Sequence, residues 1–177
     1  LDWMSVYKFK CAKLDRFVHN RVIFVGDSAH VVSPFGARGG NGGIQDVDNL
    51  CWKLAAVLNG KAGTTLLETY NLERVHGADE NISNSSRATN FMTPKSKIES
   101  LFRNEVLKLS KNFAFARKLI NSGRLSLPCS LPNAAEAIQT DTSSEKHIGN
   151  GEAILDAPLE RSGERAWLAT EVQGRFA

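Results

Sequence analysis

A short apolar run, Val22-Ile23-Phe24-Val25, leads directly into Gly26-Asp27, and soon afterwards glycines at 36, 39, 40, 42 and 43 open a stretch with helical periodicity. An unbroken apolar run of this length fits a strand buried on both faces, as parallel sheets require. A strand that ends in an acidic residue, followed by a glycine-rich turn and a helix start, is how α/β proteins build cofactor sites. The expected fold class is therefore α/β. A carboxylate such as Asp27 is a natural acceptor for the sugar hydroxyls of a nucleotide-type ligand, although Asp also suits the capping of a turn here, with Ser28. The glycines strip side chains from the backbone so that a flat ligand can approach closely. Taken alone they mark only a loop; joined to the strand and Asp27 they become specific.

The segment after the glycines reads as an amphipathic helix. Ile44, Val47, Cys51, Leu54 and Leu58 form its apolar stripe, broadened by Leu50, Ala55 and Val57. Asp46, Asn49, Lys53 and Asn59 fall mostly elsewhere, and Gly60 suits the end. Asn41 or a neighbouring glycine is expected at the amino end, where unpaired N–H groups and the helix dipole favour negative charge. Thr65-x-x-Glu68 reads as a capping box that opens a second helix, with its exit blurred at Gly77 and residues 81–87 read as its continuation. Residues 98–109 and 113–120 give two further apolar helical patterns, expected to pack into a core. Upstream, residues 3–10 alternate like a half-buried strand.

The formal net charge of +3 is small and the basic residues are interspersed with acidic ones, which argues against nucleic acid and anionic membranes as partners. No stretch approaches the roughly 20 apolar residues of a membrane span, so cytoplasmic residence is expected. Cys11, Cys51 and Cys129 are far apart and read as reduced, buried thiols. The four histidines lack metal-ligand spacing, so no metal site is expected. His30 is open to either a structural or a catalytic role, and the trio Asp27, Ser28 and His30 is too close in sequence for a hydrolase triad.

The stretch from Arg21 to Gly43, with Gly26-Asp27-Ser28-Ala29-His30, Ser33-Pro34-Phe35-Gly36 and Arg38-Gly39-Gly40-Asn41-Gly42-Gly43, resembles the second flavin-binding motif of FAD-dependent aromatic hydroxylases, the single-component flavoprotein monooxygenases. Residues 43–55 resemble the helix that follows in that family, and Leu66-Leu67-Glu68-Thr69-Tyr70 through Glu73-Arg74 the next one. The likeness covers residues 1 to about 125. It implies the carboxyl-side part of a Rossmann-like FAD-binding domain, with FAD bound by Gly26, Asp27, Pro34, Gly39, Gly40, Asn41, Gly42 and Gly43. By the same likeness Asp27 binds the flavin's sugar-alcohol chain and the Gly40-Asn41 backbone faces N1 and the C2 oxygen of the ring. Pro34 shapes the catalytic ring pocket, and Arg38 adds positive potential. Ser28 and Ser33 stand where alanine and a second proline are usual, and Val47 and Cys51 replace alanines.

The reaction implied is hydroxylation of a small phenolic or other aromatic substrate with NADH or NADPH and O2; a homodimer of the full-length enzyme is compatible with it. A relative acting on polyketide or quinone substrates, or a non-catalytic interaction module, is the alternative. The implied division is the end of a substrate-domain sheet at 1–18, the FAD-domain part with a helical extension at 19–127, a linker at 128–151, and the truncated start of a thioredoxin-like domain at 152–177. The chain lacks a Gly-x-Gly-x-x-Gly fingerprint, and the sequence is expected to be an internal piece of a longer enzyme.

Overall fold

The computed structural model describes residues 4–120, 129–131, 152, 153, 156–161 and 163–172. Three two-stranded antiparallel sheets and five α-helices make up these residues. Strand β1 (Ala12–Lys13) pairs with β4 (His30–Val31), placing Ala12 opposite Val31. Between them lies a hairpin of β2 (Val18–His19) and β3 (Val22–Ile23), turned at Asn20, whose φ of 56° is left-handed. A 3-10 turn, Gly26–Ser28, joins β3 to β4. The helices α1 (Arg38–Leu58), α2 (Leu66–Met92), α3 (Lys97–Ser110) and α4 (Ala114–Ile120) follow. Farther on, β5 (Pro158–Arg161) and β6 (Glu164–Trp167) form a hairpin that runs into α5 (Leu168–Val172).

The α/β class holds, but the expected parallel strand does not appear among the described residues. Residues 22 and 23 pair with their own hairpin partner, and Val22 is 56% exposed. The turn at Asn20 closes this local pairing, so the apolar run is covered on one side by the core and open on the other. Residues 4–10 carry no regular structure, and Met4, Val6, Tyr7 and Phe9 are exposed, because no described strand pairs with them. The core is Phe17, Val18, Ala29, Tyr70 and Ala78, flanked by Ile23, Phe24, Val25, Leu50 and Val75. It sits between the hairpin and α2.

Side chains of α2 finish the hairpin's hydrogen bonding. Asn71 Oδ1 accepts from the N–H of Phe17 at 2.7 Å and of Val18 at 3.3 Å, and the Tyr70 hydroxyl donates to the Phe24 carbonyl at 2.8 Å. Strand ends that would otherwise leave buried backbone groups unsatisfied are thus closed by a helix.

Helix α1 begins at Arg38, earlier than expected, so Gly39, Gly40, Asn41, Gly42 and Gly43 all lie in its first turns. The expected end at Gly60 is observed, with φ of +68° just past the C-cap. The expected apolar stripe is only partly buried: Ile44, Val47 and Leu58 are exposed, Leu50, Leu54 and Val57 are half-buried, and the fully buried residues are Arg38, Gly42, Asp46 and Lys53. Both sets recur at helical spacing. The polar set goes inward because α2 presents Glu73, Arg74 and Asn81 to meet it.

Helix α2 runs unbroken through Gly77 and residues 81–87. Gly77 makes room for its neighbours: a Cβ there would lie 3.0 Å from Arg74 Nη1 and 3.3 Å from Cys129 Sγ. Thr65 makes no side-chain cap; Glu68 instead pairs with Arg16 at 2.7 Å. A true capping box opens α3, where Ser96 Oγ accepts from Glu99 N and Glu99 returns to the Ser96 N–H. Helices α3 and α4 are present as expected, yet only Val106 and Ala116 on them are buried, while Ile98, Leu101, Phe102, Phe115 and Leu119 stay exposed. The core role expected of these faces is therefore not observed. All three cysteines are free, but Cys11 and Cys51 are exposed rather than buried. The expected linker at 128–151 lies outside the described residues apart from 129–131. No described helix is long and apolar enough to cross a membrane, and no described cluster of side chains suits a metal.

Candidate functional site

The turn at 26–28 and the start of α1 face one another across an open groove of about 740 Å³. Asp27, Pro34, Gly39 and Gly40 line it, with Ala37 beside them and Lys8 and Lys10 among the other lining residues. Asp27 is exposed, so its carboxylate is available to a ligand. Helix α1 carries no acidic side chain in its first turn, and the N–H groups at its start have no intrahelical acceptor. The N-cap, Ala37, sits at φ 52° and ψ 36°, a left-handed conformation that costs a non-glycine residue about 1–2 kcal/mol. Asn41 Nδ2 donates to the Ala37 carbonyl at 2.8 Å and holds that turn. Strain kept at one lip of a groove is characteristic of functional sites.

The other expected residues lie inside. Gly43 packs on Gly26, with a Cβ on Gly43 only 3.4 Å from Gly26 Cα. Gly42 packs on His30, where a Cβ would come to 3.0 Å from Cε1. Arg38 is turned inward as well, Nη1 donating to Asn81 Oδ1 at 2.6 Å. Gly39 and Gly40 differ from these: a Cβ on Gly39 makes only ordinary contact with Val32 at 3.8 Å, and one on Gly40 meets nothing within 4 Å. Both have helical backbone, so neither packing nor φ demands glycine at either position.

Beneath the groove lies a cluster that periodicity alone did not single out. Asp46 is fully buried; its Oδ2 accepts from the Gly26 N–H at 2.9 Å and His30 Nε2 at 2.8 Å, and its Oδ1 from Arg74 Nε at 2.7 Å. Burial alone would push this carboxyl up, but the bonds from His30, Arg74 and Gly26 outweigh it and hold the carboxyl below its ordinary value. Next to it Lys53, also buried, donates to Glu73 at 2.8 Å, and burial lowers its ammonium in spite of that partner. Burial, reinforced by the charge of Asp46, pushes the Tyr70 phenol up. The hint in the sequence was a second helical face, Arg38, Gly42, Asp46 and Lys53, with Glu73-Arg74 and Asn81 on the next helix to pair with it.

His30 stacks on Phe17 at 5.8 Å and gives its Nε2 to Asp46, which assigns it a structural role. Ser28 Oγ donates to the Val25 carbonyl at 2.7 Å and accepts from the Val25 N–H. Asp27, Ser28 and His30 therefore form no triad. Ser33 is buried, its carbonyl accepting from Ser85 and its hydroxyl from Thr89, which fixes the backbone beside Pro34.

A turn bearing an exposed carboxylate thus faces a glycine-opened helix start across an open groove. Residues 1–85 match the family described as FAD binding domain. The chain is 64% identical over 55 residues to the tetracenomycin A2 monooxygenase-dioxygenase of Streptomyces glaucescens, a stretch equal to 31% of this chain and 10% of that protein. It is 39% identical over 98 residues, 55% of this chain and 18% of the relative, to the 3-(3-hydroxy-phenyl)propionate/3-hydroxycinnamic acid hydroxylase of Klebsiella pneumoniae subsp. pneumoniae. Among solved structures, BexE, studied for oxidation during BE-7585A biosynthesis, superimposes with a TM-score of 0.70 at 28% identity, over 92% of this chain and 32% of BexE. The chain thus spans a third or less of the length of these relatives.

Proposed function

We propose that the groove receives the flavin end of FAD and that the protein carrying this chain hydroxylates a phenolic or other aromatic ring with NADH or NADPH and O2. The observation that carries this reading is the contrast among the glycines. A Cβ on Gly42 would crowd His30 and one on Gly43 would sit against Gly26, whereas Gly39 and Gly40 meet no such crowding and each costs a helix up to about 1 kcal/mol relative to alanine. Close approach of a flat ligand to the backbone accounts for them. The donor set suits FAD: Asp27 supplies an acceptor for ribityl hydroxyls, and the start of α1 supplies donors and positive dipole for the N1 and C2-oxygen edge of the ring. Bound FAD would supply the redox chemistry. The residues of this chain would bind and orient it: Asp27 anchors the sugar-alcohol chain, Gly39 and Gly40 admit the ring, Asn41 holds the Ala37 turn in shape, and Pro34 walls the pocket.

A polyketide or quinone substrate is the second reading, favoured by 65% identity over 54 residues to a protein of Streptomyces coelicolor named as a putative polyketide hydroxylase. Turnover of a phenol, a phenylpropionate and a polycyclic quinone by the same protein separates the two. The cofactor assignment is tested at Asp27. Replacing it by alanine removes a charged acceptor, a loss of about 1.5–3 kcal/mol and so an expected ten- to hundredfold drop in FAD affinity. Asp27→Asn should be milder. Ser28→Ala should retain flavin and NAD(P)H-dependent hydroxylation, since its hydroxyl serves only Val25. Full flavin content in Asp27→Ala beside an inactive Ser28→Ala would show the assignment to be wrong.

A further inference from the structure

The same oxygen of Asp46 accepts hydrogen bonds from both ends of the loop that carries Asp27: Gly26 N–H on one side at 2.9 Å and His30 Nε2 on the other at 2.8 Å. Asp46 sits two turns into α1, the helix whose first turn bears Gly39 and Gly40. A helix is stiff over this length, so the spacing between the Asp27 carboxylate and the helix start is set where the loop is fastened to α1. Two features fasten it, the Gly26–Gly43 backbone contact and the Asp46 carboxylate. The other oxygen of Asp46 takes Arg74 and keeps the carboxylate from rotating.

We propose that Asp46 is a positioning residue for the ligand: by bracketing the loop at Gly26 and His30 it places the Asp27 carboxylate at a fixed reach from the start of α1. This rests on the reading of the groove as the flavin site. Asp46 itself is fully buried and does not line the groove, so it acts only through the loop.

The test is a double-mutant cycle on FAD affinity in the protein carrying this chain, read by quenching of flavin fluorescence on the apoprotein. Asp46→Asn should weaken FAD by about tenfold in the parent and by no more than about twofold in the Asp27→Ala background, because coupled residues are non-additive. Lys53→Met, which breaks the neighbouring buried pair with Glu73 and removes no hydrogen bond of Asp46, should lower the melting temperature while leaving FAD affinity within about twofold. Should Asp46→Asn fail to fold, His30→Phe carries the cycle: it keeps the ring against Phe17 and removes the donor, and His30→Gln, which restores one, should recover affinity. Equal losses in both backgrounds, or a loss in Lys53→Met as large as in Asp46→Asn, would overturn the proposal. So would unaltered FAD affinity in Asp46→Asn when Asp27→Ala is weakened, and in that case the groove reading survives. If Asp27→Ala binds FAD like the parent, both fall.

Discussion

Alanine at Gly40 should raise the stability of the apoprotein and weaken flavin binding, whereas alanine at Gly42 should lower its stability. A methyl on Gly40 meets nothing within 4 Å, and the residue is already helical. The substitution removes the entropic handicap of glycine and should stabilise the apoprotein by up to about 1 kcal/mol, with first-turn positions at the lower end. The same methyl would stand where the flavin comes down on the backbone. Forcing an extra carbon into a fitted contact costs about 1–3 kcal/mol, or roughly five- to a hundredfold in affinity. At Gly42 the methyl would be 3.0 Å from His30 Cε1 and 3.5 Å from Asn81 Nδ2, both buried. Overpacking there outweighs the propensity gain, so Gly42→Ala should lose about 1 kcal/mol in the apoprotein. Urea unfolding of the apoproteins and FAD titration by fluorescence quenching read both quantities. Destabilisation by Gly40→Ala, or its binding FAD as tightly as the parent, would refute the reasoning.

Acid should uncouple the Asp46 cluster. The folded carboxyl titrates below its ordinary value of 3.8, so its contribution is fully present above that value and is lost as pH falls through the folded one; Asp46→Asn should show a shallower acid limb in a circular-dichroism titration below about pH 4, and an unchanged limb would count against the pairing. Ala37→Gly should stabilise the protein by about 0.5–1 kcal/mol, the relief of a left-handed alanine less the entropy of glycine. Urea midpoints decide it, a lower midpoint contradicting the strain at this N-cap.

The groove was largely legible in the sequence because its parts are contiguous: Asp27, Pro34, Gly39 and Gly40 lie within fourteen positions, and turn and helix chemistry act locally. Helix extents were legible too, and α2 runs through Gly77 as the pattern beyond it suggested. What escaped was the direction in which α1 faces. Ile44, Val47 and Leu58 form as regular a stripe as Arg38, Gly42, Asp46 and Lys53, and hydrophobicity favoured the first. Only the partners on α2, Glu73, Arg74 and Asn81, decide for the second, and those lie far along the chain. Glycine misled in a related way. Gly42 and Gly43 read like Gly39 and Gly40, but their neighbours, His30 and Gly26, are visible only in three dimensions. The run at 22–25 read as a parallel strand because an apolar run does not reveal the direction of its partner; Asn20 turned it back on its neighbour.

The clasp of α2 on the hairpin also governs the order in which this chain gains structure as it leaves the ribosome. Phe17 and Val18 wait for Asn71, Phe24 for Tyr70, Asp46 for Arg74, and Ser33 for Ser85 and Thr89, spans of 28 to 56 residues. Contacts this distant close late, after the loop entropy between them has been overcome. Between the emergence of Asp46 and that of Arg74, 28 residues later, the turn that bears Asp27 has its carboxylate but not the arginine that steadies it, and the hairpin gains its lid only with Tyr70 and Asn71. Synthesis proceeds at about 5–20 residues per second, so this interval lasts seconds, long enough for exposed strands to be met by a chaperone. The helix that completes the hairpin thus also sets the moment at which those strands are covered.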